Sequence, residues 1–150
     1  MASVVETFRA VVESEGLRAG IRWLNRRVPY RFTAIFAFDG DMLRNLCLVD
    51  KEDESVTTCA DLPITDSYCI YVLRSNSPFG VEEASQDRRV EGHPKQRSFQ
   101  CYYGIPLFGG DGRLLGTVCH FDAEPIRVSD DTASVLDDVG PLIASTAFRN

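Results

Sequence analysis

The apolar positions of this chain switch between a helical and a strand period. From residue 4 to 27 the spacing is helical: Val4, Val5, Phe8, Val11 and Val12 recur three and four apart, and Leu17, Ile21, Leu24 and Val28 continue the pattern. Gly16 is the expected end of a first helix and Pro29 the stop of a second. The opposite faces carry Arg9, Glu13, Glu15, Arg18, Arg22 and Arg26, while Trp23 suits either the core or a partner surface. Residues 32–38 (Phe-Thr-Ala-Ile-Phe-Ala-Phe) then read as a strand, Asp39-Gly40-Asp41 as a hairpin turn, and residues 42–49 as the returning strand. Residues 56–59 are the expected short edge strand. Asp66 or Ser67 caps a helix over 68–73, residues 75–78 end it, and residues 79–82 form a short strand.

Residues 83–100 break both periods. They are polar, show no core face, and read as a long loop with one or two short helices. Long polar insertions between strands are common places for ligand lids. A hairpin follows over 102–122, its arms joined by Gly109-Gly110-Asp111-Gly112. Tyr103, Ile105 and Leu107 share one face of its first arm, with Tyr102 and Phe108 on the other. Leu115, Thr117, Cys119 and Phe121 share a face of the second arm, opposite Leu114, Gly116, Val118 and His120. A sheet apolar on both faces must be covered on both faces. Ser129 caps a last helix with the stripe Val135, Leu136, Val139, Leu142 and Ile143, which Gly140-Pro141 should bend or break.

With 150 residues, no internal repeat and no linker, one domain over 1–150 is expected, its terminal helices at 1–28 and 129–150. No apolar run reaches the length of a membrane span, and the first residues lack the basic start and apolar stretch of a signal peptide. A cytoplasmic location follows as an expectation. A formal net charge of −6 argues against nonspecific nucleic-acid or anionic-membrane partners. The five cysteines are odd in number and widely spaced, and only two histidines accompany them. No metal site, no cofactor and no disulfide framework is expected from that pattern.

Tyr-Gly-Ile-Pro-Leu at 103–107, Asp111-Gly112 and Leu-Leu-Gly-Thr-Val-Cys-His-Phe-Asp at 114–122 together resemble the closing signature of a GAF domain. Asp66-Ser67-Tyr68-Cys69 resembles the family's helix entry, and Ser77-Pro78-Phe79 through Asp87 its short strand and acidic turn. The resemblance covers roughly residues 20–148. It implies an α+β fold: a central antiparallel sheet of five to six strands, terminal helices on one face, and a helix/loop lid over a ligand pocket on the other. It further implies a non-catalytic small-molecule sensor in signal transduction. With no output domain following the last helix, a stand-alone module is expected, acting through a homodimer of its terminal helices or a separate signalling partner.

Two patterns of the family are missing. The Asn-Lys-x-x-Phe motif of cyclic-nucleotide-binding members is absent from residues 83–100. Cys119-His120 forms the dipeptide of bilin-attaching members, but in a strand rather than in the lid. The candidate ligand-contacting residues are Tyr71, Phe79, Tyr103 and Phe121 as apolar walls, with Asp87, Arg88, His93, Arg97 and Thr117 as polar groups. The lid cations read equally as a solvated loop paired with Glu82, Glu83, Asp87 and Glu91. An alternative is a thiol redox enzyme or switch resembling free methionine-R-sulfoxide reductase, using Cys69 and Cys101, although the enzyme's surrounding motif is missing. A third is a ligand-free dimerisation scaffold. Cys47 and Cys119 are expected in the core.

Overall fold

A computed structural model describes residues 2–149. Six strands form one antiparallel sheet in the order β3-β2-β1-β6-β5-β4, so β1 and β6 are central. The strands are β1 (Phe32–Asp39), β2 (Met42–Asp50), β3 (Leu62–Pro63), β4 (Phe79–Val81), β5 (Cys101–Phe108) and β6 (Leu114–Asp122). The helices are α1 (Val4–Glu15), α2 (Leu17–Arg26), α3 (Cys69–Ser75) and α4 (Asp130–Ala147).

The alternation of β1 and of the β5–β6 hairpin divides the core in two. Ile35, Ile105, Leu107 and Val118 pack with Phe8 of α1, Ile21 and Leu24 of α2, and Leu136, Val139 and Ile143 of α4. Ala34, Phe36, Tyr102 and Cys119, on the other face, pack with Cys69, Ile70 and Val72 of α3 and with Ala84 and Val90 of the lid. The expected arrangement of layers is therefore the observed one.

Local chemistry explains the boundaries. The Ser3 hydroxyl accepts from the Glu6 N–H at 3.1 Å to cap α1. Gly16 has φ +97° and its N–H bonds Val12 O, so one residue ends α1 and starts α2. The Ser129 hydroxyl accepts from the Thr132 N–H, with Asp130 and Asp131 at the positive end of α4. That helix does not break at Gly140-Pro141: it continues to Ala147. A proline removes one N–H from the ladder, and here tertiary packing of the apolar stripe outweighs that loss.

Two further expectations change. Residues 56–59 are not a strand. The Leu48 N–H bonds Thr57 O, but side chains hold the rest: Asn45 Oδ1 takes the Cys59 N–H, and Asp61 Oδ1 takes the Asn45 N–H. Arg18 of α2 reaches round the sheet, its guanidinium donating to Leu48 O at 2.6 Å, Thr57 O at 3.4 Å and Val56 O at 3.3 Å. The edge strand is instead Leu62–Pro63, where proline's missing N–H is tolerated. The lid, which shows no core face in sequence, is folded into short helical turns at Ala84–Gln86 and Arg88–Val90, burying Ala84 and Val90. Leu46, 44% exposed, sits at a bulge: Ile35 faces Cys47 and Phe36 faces Asn45, leaving Leu46 unmatched.

Candidate functional site

A cavity of about 390 Å³ lies between the sheet and the lid. Phe32 and Phe36 of β1, Leu48 of β2, Tyr102 of β5, and Cys119 and Phe121 of β6 form its floor. One wall is the side-chain-held segment with Cys59, Ala60 and Leu62. The other combines Ser67 and Tyr68, where α3 begins, with Lys95 and Phe99 of the lid. The register explains the floor: Tyr102 pairs with Phe121 and Gly104 with Cys119, so alternate residues of both arms face the lid.

Three phenylalanines make an aromatic corner. Phe32 and Phe121 stack at 5.1 Å, and Phe99 meets Phe121 edge-on at 5.1 Å and Phe32 at 6.1 Å. The Phe99 N–H bonds Lys95 O at 3.0 Å, a helical-type turn. Residues four apart on such a turn project to one side, consistent with both Lys95 and Phe99 lining the cavity. Tyr68 locks the lid by donating its hydroxyl to Phe99 O at 2.8 Å.

Below the floor, Tyr102 donates to Cys69 Sγ at 3.2 Å, and Thr117 Oγ1 lies 3.2 Å from the same sulfur. Burial opposes ionisation of Cys69, but hydrogen bonding by Cys119, Ser67, Thr117 and Tyr102 outweighs it and holds the thiol below its ordinary value. Burial raises its neighbours Cys119 and Tyr102 well above their ordinary range.

The expected site residues separate into groups. Phe121 lines the cavity and Thr117 lies beneath it, against Cys69. Tyr71, Phe79 and His93 form an aromatic cluster behind Tyr68, with Tyr71 on Phe79 at 4.6 Å and Tyr68 against His93 at 4.7 Å. Burial lowers the His93 pKa, and its Nε2 has no partner among the described residues. Asp87, Arg88 and Tyr103 meet elsewhere, at a shallow depression beside Val128. Asp87 is engaged by Arg89, whose guanidinium donates to its carboxylate and holds its pKa below the usual range. Tyr103 belongs to the helix-side core, because its partner across the hairpin is His120. Arg97 is exposed and does not line the cavity. Cys101 is separate from the Cys69 cluster: burial pushes its thiol up to about 12, and it donates weakly to Asp122 O at 3.8 Å.

Phe32, Phe36, Tyr68, Lys95, Phe99 and Tyr102 also line the cavity and are not among the contacts expected from the sequence. Pairing the hairpin arms across the glycine loop would have found Tyr102, since it stands opposite Phe121. Lys95 carries no such signal. Among the described residues, no cluster of three or more His, Cys, Asp or Glu side chains is placed to hold a metal. No helix among them is long and apolar enough to cross a membrane.

No family model matches the chain. A stretch of 69 residues is 36% identical to a cyclic di-GMP phosphodiesterase of Pseudomonas aeruginosa, covering 42% of this chain but only 11% of that protein. Similar solved structures span nearly the whole chain. The GAF domain of an Acinetobacter phosphoenolpyruvate-protein phosphotransferase superposes with a TM-score of 0.73 at 14% identity, over 98% of this chain and 94% of the other. Free methionine-R-sulfoxide reductase from Neisseria meningitidis, in complex with its substrate, gives 0.75 at 15% identity over 96% and 86%. The phycocyanobilin-bound GAF domain of a cyanobacterial phytochrome gives 0.73 at 12% identity over 94% and 90%. Sheet order, the two-layer cover and these superpositions agree: the chain has the GAF-domain fold.

Proposed function

We propose that this chain is a non-catalytic sensor module that holds a small organic ligand in the cavity between sheet and lid. The observation that carries the reading is the cavity itself, about 390 Å³ and walled by aromatic side chains on the face that the lid covers. Bilin and substrate are bound by similarly folded proteins, which supports the fold's capacity for ligands without naming this one. The cyclic di-GMP enzyme shares too little of its length to lend its reaction. In this reading the module is a single cytoplasmic domain, and ligand state reaches a partner through the terminal helices, in a homodimer or a separate signalling protein. The apolar stripes of α1 and α4 already pack into the chain's own core, so a partner would meet the half-buried fringe, such as Val4, Val5 and Leu142.

The test is a thermal-shift screen of a metabolite library on the wild-type protein and on Ala60→Trp. Ala60 is exposed on the cavity wall, so a tryptophan there fills the mouth without disturbing the core. Hits that stabilise the wild-type protein and are lost in Ala60→Trp support the reading. Hits equally strong in both, or none, overturn it. Size-exclusion chromatography with light scattering tests the dimer: a monomer at micromolar concentration rejects that part.

A thiol reaction is the second reading, favoured by the lowered Cys69 thiol beside Cys119. Cys101 is not part of that cluster, so the pairing of Cys69 with Cys101 has no geometric support. Loss of peroxide- or sulfoxide-reducing activity in Cys69→Ser would establish it, and no activity in the wild-type protein would remove it.

A further inference from the structure

The cavity's free polar groups have one character. Of the tyrosines in its walls, Tyr68 has committed its proton to Phe99 O and Tyr102 its proton to Cys69 Sγ. Ser67 Oγ accepts from the Cys69 N–H, and its hydroxyl is shared with the Cys69 sulfur. The Cys59 thiol and the Lys95 ammonium complete the set. No acidic residue lines the cavity, and among the described residues Lys95 makes no ion pair and no side-chain hydrogen bond. A ligand therefore meets donors, a single positive charge and aromatic walls.

We propose that the cavity selects a monoanionic carboxylate with an apolar body, its head held by Lys95 and its body against Phe32, Phe99 and Phe121. This rests on the reading of the cavity as a ligand site. An acceptor-only head satisfies the Lys95 ammonium, which has no other partner among the described residues. One lysine balances one negative charge. A phosphate dianion or a cyclic nucleotide would call for arginine forks or a row of backbone N–H groups, and a base would call for edge-reading polar groups. The lining residues include no arginine, asparagine or glutamine. The cavity has room to spare for a bicyclic aromatic acid or a medium-chain one. The i, i+4 turn that sets Lys95 above Phe99 places charge and ring side by side, as such a molecule carries them.

Isothermal titration with 2-naphthoate, 4-phenylbutyrate and octanoate, each paired with its primary amide, tests the charge and the body separately. At least one carboxylate should bind about fivefold to tenfold tighter than its amide. That preference of acid over amide should shrink in Lys95→Gln and should weaken at high salt. Lys95 is partly exposed on a lid turn, so the variant is expected to fold; circular dichroism and melting temperature check this. Phe99→Leu should weaken carboxylate and amide alike. Amides binding as well as the acids, or a preference unchanged in Lys95→Gln, overturn the proposal while the cavity remains a ligand site. No binding by any of the six compounds also overturns it. If in addition the Ala60→Trp screen yields no cavity-dependent hit, the reading it rests on fails as well.

Discussion

Phe99 of the lid meets Phe121 of β6 edge to face, ring centroids 5.1 Å apart and planes at 86°. This contact joins the lid to the central sheet at the cavity, across a segment of the chain with little secondary structure. Aromatic pairs of this geometry contribute about 0.5–1.5 kcal/mol beyond the area they bury. A double-mutant cycle with Phe99→Leu and Phe121→Leu, read by urea unfolding, should return a coupling of about 1 kcal/mol. A coupling near zero would mean that the pair adds nothing beyond the area it buries.

Stability should fall on acidification below neutrality because of His120. Burial, with a smaller contribution from Lys51, lowers its pKa to about 3, so it stays neutral in the fold. Its Nδ1 lies 2.7 Å from Thr33 Oγ1, and Tyr30 stacks on it at 5.3 Å. The unfolded chain protonates this group near its ordinary value of about 6.5, so between there and about 3 the unfolded state binds the extra proton and is favoured. The contribution is complete above pH 6.5 and is lost as pH falls towards 3, by up to about 1.4 kcal/mol per pH unit. Unfolding free energies measured from pH 7 to 4.5 should show this slope, and His120→Gln should flatten it. His93 adds in the same direction.

Gly116 tolerates no side chain. A Cβ there would lie 1.9 Å from the Phe36 carbonyl oxygen, backbone that cannot yield without parting β1 from β6. Gly116→Ala should cost more than about 4 kcal/mol or abolish soluble expression. Gly110→Ala, whose Cβ meets nothing within 4 Å, should leave the melting temperature unchanged. Equal effects would contradict the close pairing of the two central strands.

A bulky thiol reagent should modify Cys59 first. It is the exposed cysteine; Cys47, Cys69, Cys101 and Cys119 are buried. One fast equivalent is expected in the native protein, removed by Cys59→Ser, against five in denaturant. Fast labelling of Cys69 would instead favour thiol chemistry.

The two-faced apolarity of the 102–122 hairpin was enough to require cover on both sides, and the helix-period segments at the termini supplied one cover. The pocket was less legible, for a physical reason. A cavity is an arrangement of residues far apart in sequence, and chemical type alone does not say which of them meet there. Tyr103 and Tyr102 are equally aromatic, but only pairing register decides that Tyr102 shares a face with Phe121. Arg88 and Lys95 are equally cationic, yet the lid's turns carry Arg88 to the Val128 side and Lys95 to the cavity. Residues 56–59 read as a strand because their composition fits one. Nothing local reveals that Asn45, Asp61 and Arg18 take over the bonds of a ladder.

That takeover gives Arg18 a second meaning. Its guanidinium belongs to a terminal helix, yet its acceptors are carbonyls of β2 and of the segment leading into the cavity wall. A molecule that enters beside Cys59 and Ala60 cannot push this wall outward without stretching those bonds or dragging α2 with them. One side chain thus acts as a tether between the ligand layer and the helix layer. The two faces of the sheet are thereby joined mechanically round its β2 edge as well as through its core.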